Sequence, residues 1–93
     1  MIIGKHVIIS AQCSIGHDSI IEDFVHITPG VRLGGGTLIG RGSFLAMGVV
    51  IFPRVRLGKN VRVSANAVVN KDFGDNVILA GNPAKIIKKI ASI

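Results

Sequence analysis

Three observations predict an all-β fold, a parallel β-helix wound as a triangular prism. An aliphatic residue leads every group of six, at Ile3, Ile9, Ile15, Ile21, Ile27, Leu33, Ile39, Leu45, Ile51, Leu57, Val63 and Val69. Four residues after each lead stands Val7, Cys13, Ser19, Val25, Val31, Thr37, Ser43, Val49, Val55, Val61, Ala67 or Phe73, small or β-branched in every case but the last. Glycine follows the lead at Gly4, Gly16, Gly34, Gly40 and Gly58. An α-helix repeats its apolar face about every 3.6 residues and a hairpin strand about every 2, so an unbroken step of six fits neither.

Each hexad makes one short strand and one corner, and three hexads close one 18-residue coil, so the repeat over residues 1–74 gives about four coils. The leads stack down the interior, the small residues fit the corners, and strands of successive coils pair in parallel about 4.8 Å apart. An ordinary β-sandwich does not account for this, because sandwich strands alternate faces and their turns are irregularly spaced. From residue 75 the rhythm stops. Residues 75–93 read as a tail that caps the lower end, with an extended segment over 76–80, a turn at Gly81-Asn82-Pro83 and a short basic helix from Ala84. The upper end begins at Ile3 with no capping segment, which leaves the first coil's strand edges unpaired.

Ninety-three residues make one domain with a modest core, so support from partner subunits is expected. No apolar stretch approaches the roughly 20 residues of a spanning helix, and the N-terminus Met-Ile-Ile-Gly-Lys-His has no secretory pattern. A cytoplasmic location is the resulting expectation. The single cysteine, Cys13, has no partner for an internal disulfide and sits at an inward packing position. The net charge of +6 is uneven: residues 1–30 set Lys5 against Asp18, Glu22 and Asp23, while residues 31–93 carry ten Lys or Arg against Asp72 and Asp75. A basic lower half suits an anionic partner. Nucleic acid is excluded as that partner: there is no Trp or Tyr for bases to stack on, and Phe24, Phe44, Phe52 and Phe73 lie in no nucleic-acid motif.

The column arithmetic brings chemistry-bearing residues together. His17 stands two residues after a lead, at a corner, and points outward; one coil below it lies Gly35, within the run Gly34-Gly35-Gly36. A neutral imidazole suits a general base, and absent side chains let a ligand approach the backbone. The next corner column holds Pro29, Met47 and Ala65, and His26 lies three residues before it. A zinc site of the β-helical carbonic anhydrase type needs convergent imidazoles; His6, His17 and His26 fall in three different columns, so no metal is expected. An ice-binding face needs a threonine ladder, and the chain has only Thr28 and Thr37.

The hexads, the stretch Gly16-His17-Asp18 with a second histidine at His26, and the closing Ala80-Gly81-Asn82-Pro83-Ala84-Lys85 resemble the hexapeptide-repeat acetyltransferases. Within them, the chain resembles the group of sialic acid O-acetyltransferases and UDP-amino-sugar N-acetyltransferases. The resemblance covers essentially the whole chain and implies a left-handed parallel β-helix, a homotrimer, and acetyl-CoA as cosubstrate. It implies that His17 is the catalytic base, that Asp18 replaces the acidic neighbour that makes this histidine a better base, and that the Gly35 amide meets the acetyl carbonyl. Met47 and Ala65 would line the pantetheine arm from a neighbouring subunit, and His26 would hold the thioester end or the acceptor. Lys59, Arg62, Lys71, Lys85, Lys88 and Lys89 suit the coenzyme phosphates. The acceptor would be a sugar or amino sugar carrying a hydroxyl or amine. Members usually carry a nucleotide-sugar-binding α/β domain before the β-helix, which these residues lack, and many have Asn where Ser10 stands. The alternative is a trimeric scaffold or interaction module that kept the fold without the activity.

Overall fold

The computed structural model describes residues 1–91. The chain forms β1 (Ile2–Ile3), β2 (Ile8–Ile9), β3 (Ser14–Ile15), β4 (Ile20–Ile21), β5 (His26–Ile27), β6 (Arg32–Leu33) and β7 (Leu38–Ile39). It continues with β8 (Phe44–Leu45), β9 (Val50–Ile51), β10 (Arg56–Leu57), β11 (Arg62–Val63), β12 (Val68–Val69), β13 (Val77–Ala80) and β14 (Lys85–Lys89). Every hexad lead is the second residue of one of the first twelve strands.

The strands stack into the three faces of a left-handed β-helix of about four coils. The first face runs β1-β4-β7-β10, the second β2-β5-β8-β11-β13-β14, and the third β3-β6-β9-β12. Pairing is parallel and in register at the 18-residue step, with Ile3 opposite Ile21 and Ile21 opposite Ile39. Side chains alternate across a strand, so the leads enter the prism and the residues before them face out. Ile21, Ile27, Ile39, Leu45, Ile51, Leu57 and Val63 are fully or almost fully buried, and burial of each such side chain contributes about 1.5–3 kcal/mol. Ser19, Thr37 and Ser43 are the buried polar residues among those described.

The corners are two-residue turns whose second residue adopts the left-handed conformation at His6, Gln12, Asp18, Phe24, Gly30, Gly36, Gly42, Gly48, Arg54, Asn60 and Asn66. This repeat of positive φ every sixth residue turns the chain through each corner. At the upper end β1, β2 and β3 have no strand above them, and the leads there are exposed: Ile3 is 48% and Ile9 37% accessible.

The tail departs from the expected helix at Ala84. β13 adds in parallel below β11, and after the turn at Gly81-Asn82-Pro83, β14 returns antiparallel along β13. The segment Lys85-Ile86-Ile87-Lys88-Lys89 is too short to sustain an isolated helix, and its two isoleucines are β-branched. The open edge of β13 offers it ladder hydrogen bonds instead, and all five residues of β14 stay exposed. No helix among the described residues is long and apolar enough to cross a membrane.

Candidate active site

Three corners differ sharply in what they present. The His17 corner joins the third face to the first and stacks His17 over Gly35 over Pro53, with Asp18, Gly36 and Arg54 as their neighbours. Coil-to-coil bonds hold the column, from Gly36 N–H to the His17 carbonyl and from Arg54 N–H to the Gly35 carbonyl, each 2.9 Å. Together these six residues line a shallow depression.

Within it the imidazole is oriented by its neighbour. Nδ1 of His17 lies 3.2 Å from Oδ2 of Asp18. In the neutral ring, an Nδ1–H that donates to this carboxylate leaves Nε2 with its lone pair free to accept a proton. Both side chains are open to solvent, 90% for His17 and 83% for Asp18. The contact therefore orients the ring and adds little stability.

Gly35 lies against the other edge of the ring. A Cβ placed on it would stand 3.4 Å from Cε1 and 3.5 Å from Nε2 of His17, and 3.3 Å from the His17 carbonyl oxygen. These contacts are ordinary or only slightly tight, so glycine at 35 leaves the space beside the ring open without being forced by sterics; the left-handed position at this corner belongs to Gly36, with φ 69°. Above it, Gly16 must be glycine, since a Cβ there would overlap the Gly35 nitrogen. The Gly35 N–H has no hydrogen-bond partner among the described residues.

The Met47 corner joins the second face to the third. Gln12, Pro29, Gly30, Met47, Gly48, Ala65 and Asn66 line a second open depression there, and Met47 is 60% exposed. The structure does not bring Met47 or Ala65 to His17 within one chain, because the two corners bound opposite edges of the third face. His26 projects from β5 on the second face, half-buried, with its ring packed edge-on against Phe44 at 5.3 Å between centroids. It too is apart from His17. The expected phosphate-binding cations are also dispersed: Lys71 sits below the His17 corner beside Phe73, while Lys59 and Arg62 lie at the corner that joins the first face to the second and Lys85, Lys88 and Lys89 lie on β14.

Comparison with known proteins gives the same architecture throughout. No family model matches the chain. Galactoside O-acetyltransferase of Lactococcus lactis is 32% identical over 94 residues, 95% of this chain and 42% of that protein. A His-to-Asn mutant of perosamine N-acetyltransferase from Caulobacter crescentus, solved with CoA and GDP-perosamine, superposes with a TM-score of 0.91. It is 33% identical over 94% of this chain and 41% of that one. The chain is similar in sequence and fold to acetyltransferases of the hexapeptide-repeat kind. Another structure, the acetyltransferase domain of PglB from Neisseria gonorrhoeae in complex with acetyl coenzyme A, matches this hexapeptide-repeat chain with a TM-score of 0.85. It is 37% identical over 87% of this chain and 40% of its own. The chain spans about two-fifths of the length of these relatives.

Two features of the hexapeptide-repeat corner escaped sequence reading. Pro53 and Arg54 complete the floor of the His17 depression, and the same 18-residue arithmetic, carried one coil further, finds them. Ser19, directly after Asp18, reaches the Gly34 carbonyl from inside the prism. That contact joins residues 15 apart and is invisible to column counting.

Proposed function

We propose that this chain transfers an acetyl group from acetyl-CoA to a hydroxyl or amine of a small acceptor, a sugar or amino sugar. The observation that carries this reading is the apposition of His17 and Gly35: an imidazole whose Nε2 is free to accept a proton stands beside a backbone N–H that no group among the described residues takes up. Acetyl transfer from a thioester needs those two groups, a base for the acceptor's proton and a donor for the oxyanion that develops. His17 removes the proton as the acceptor attacks the thioester carbon, and the thiolate of CoA leaves. Asp18 holds the ring and stabilises it once protonated. The described residues that line the depression include no Ser or Cys, and the proposed transfer is direct.

A second copy of the chain completes the site. His17 and Met47 are both exposed and lie on opposite edges of one face, so in a parallel trimer the His17 edge of one subunit meets the Met47 and Ala65 edge of the next. The coenzyme lies in the cleft between them, Gly35 at its acetyl end, His26 toward the thioester or acceptor, and lower-end cations, of which Lys71 lies below this corner, toward its phosphates. The names of two relatives, a galactoside O-acetyltransferase and a perosamine N-acetyltransferase, support a sugar acceptor.

Calorimetric titration of the purified chain with acetyl-CoA, with its mass in solution read by light scattering, tests this. Saturable binding of one acetyl-CoA per subunit by a trimer is expected. A folded trimer that binds none is a scaffold, and the acetyltransferase reading falls.

A further inference from the structure

The Gly35 N–H does not point at random, because its peptide is held from the far side. The Ser19 side chain is fully buried; its Oγ lies 3.3 Å from the Gly34 carbonyl oxygen and 3.0 Å from Oγ1 of Thr37, itself buried. A hydroxyl carries one proton. Since the carbonyl can only accept, Ser19 donates to Gly34, and Thr37 donates to Ser19. The Gly34 carbonyl and the Gly35 N–H belong to one trans peptide, in which they are antiparallel. A carbonyl drawn to a buried hydroxyl therefore turns the N–H away from the interior.

We propose that Ser19, backed by Thr37, is a positioning residue that sets the Gly34–Gly35 peptide so that its N–H meets the carbonyl oxygen of a bound thioester. The proposal rests on the acetyl-transfer reading for the purpose of the device, and on the geometry alone for its existence.

The same inner contact occurs at the two other corners. Ser43 Oγ donates to the Gly58 carbonyl at 3.1 Å, and the N–H of that peptide, from Lys59, donates to Oδ1 of Asp75 at 2.8 Å. There the held peptide presents its N–H to an anionic oxygen, as does the Gly40–Arg41 peptide, whose carbonyl is held by the Ser43 N–H at 3.2 Å and whose N–H goes to Glu22. Cys13 Sγ donates to the Thr28 carbonyl at 3.2 Å, but the next residue is Pro29 and has no N–H to offer. Of the three, the Gly34–Gly35 peptide alone has an N–H without a protein acceptor among the described residues, and it alone lies beside a histidine ring.

Nitrogen-15 relaxation and chemical shifts of the full chain test the proposal, comparing wild type with Ser19→Ala, Ser19→Thr and Thr37→Val. In the ligand-free wild type the Gly35 amide should be as ordered as that of Lys59, with an order parameter of about 0.85, falling toward about 0.6 in Ser19→Ala. Ser19→Thr, which keeps the hydroxyl, should restore it, and Thr37→Val should give a smaller loss. On saturation with acetyl-CoA, but not with CoA, the wild-type Gly35 proton should move downfield; in Ser19→Ala most of that shift should vanish while the dissociation constant changes by less than about twofold. With an acceptor in hand, turnover of Ser19→Ala should fall roughly 10- to 100-fold, part of the loss expected when an oxyanion donor is removed.

Unchanged Gly35 order in Ser19→Ala would overturn the proposal, whatever the coenzyme does. Failure of the wild type to bind acetyl-CoA would instead remove the acetyl-transfer reading, and the order parameters would still decide whether Ser19 sets the peptide. Should Ser19→Ala not fold, Thr37→Val carries the same comparison.

Discussion

The His17 corner and the corner that carries Lys5, Asp23, Arg41 and Lys59 are built from the same hexad, yet one caps most of its outward amides and the other leaves the Gly35 N–H free. At the Lys59 corner three of the four forward amides, all but that of Asp23, are capped by a carboxylate: Lys5 N–H by Asp23 at 2.8 Å, Arg41 N–H by Glu22 at 3.0 Å, and Lys59 N–H by Asp75 at 2.8 Å. Its aromatic surface is used as well, with Phe24 stacked against His6 and covered by the Arg41 guanidinium. At the His17 corner, Asp18 turns to the imidazole and leaves the Gly35 N–H uncapped. The difference teaches where the fold spends its acidic residues: as structural caps along one edge, and at the other as a partner for an imidazole, with Asp72 alone, at the lower end of that edge, capping an amide, that of Arg56 at 2.8 Å. It implies that substitutions at the two corners should separate, with turnover lost at one and stability at the other.

The largest separation is expected at His17. His17→Ala removes the only imidazole in its depression, and the structure rests little on a side chain so exposed. Turnover should fall by roughly 10² to 10⁴, the usual range for a lost general base, with acetyl-CoA affinity little changed. Steady-state kinetics beside a calorimetric titration would read both numbers. A variant with near-normal turnover would place the base elsewhere and erase the contrast between the corners.

Gly35→Ala should act through geometry. The backbone there accepts an L-residue, and the added Cβ would stand in ordinary contact with the ring, 3.4 Å from Cε1 and 3.5 Å from Nε2 of His17, with only the His17 carbonyl oxygen, at 3.3 Å, having to give slightly. The methyl takes up space beside the ring, and since a reactant misplaced by about 1 Å can cost about 10²-fold, a loss of about tenfold in turnover is expected, with a melting temperature close to that of wild type. A normal rate would show that the reaction leaves this space unused.

The fold was legible because the prism imposes one rule on every hexad. A lead at Ile39 or Leu45 must fill the same interior as one at Ile21, so the period repeats without exception through Val69, and each lead became the inward residue of a strand. Column arithmetic therefore placed Gly35 under His17. It ended where the rule ended: β14 depends on the free edge of β13, a tertiary opportunity that the residues Lys85 to Lys89 do not themselves announce. The coupling of Ser19 to Gly34 was hidden for a related reason. A Ser at a corner phase most often filled by Val reads as merely small, and only the position of a carbonyl in the next coil gives its hydroxyl a task.

Asp75→Ala gives the smallest effect and the sharpest control. Its Oδ1 accepts the Lys59 N–H at 2.8 Å on an exposed corner, so water takes over the amide when the carboxylate is removed. The loss should be about 1 kcal/mol, the net value of one such hydrogen bond, seen as a fall of several degrees in melting temperature. Turnover should stay within about twofold of wild type, because no coil-to-coil column connects Asp75 to the His17 depression. The comparison runs in the opposite direction to Gly35→Ala, which alters rate and spares stability. Were Asp75→Ala to lose activity while remaining folded, the capped corner would be part of the ligand site, and the acidic caps would have to be reinterpreted as groups that a ligand displaces.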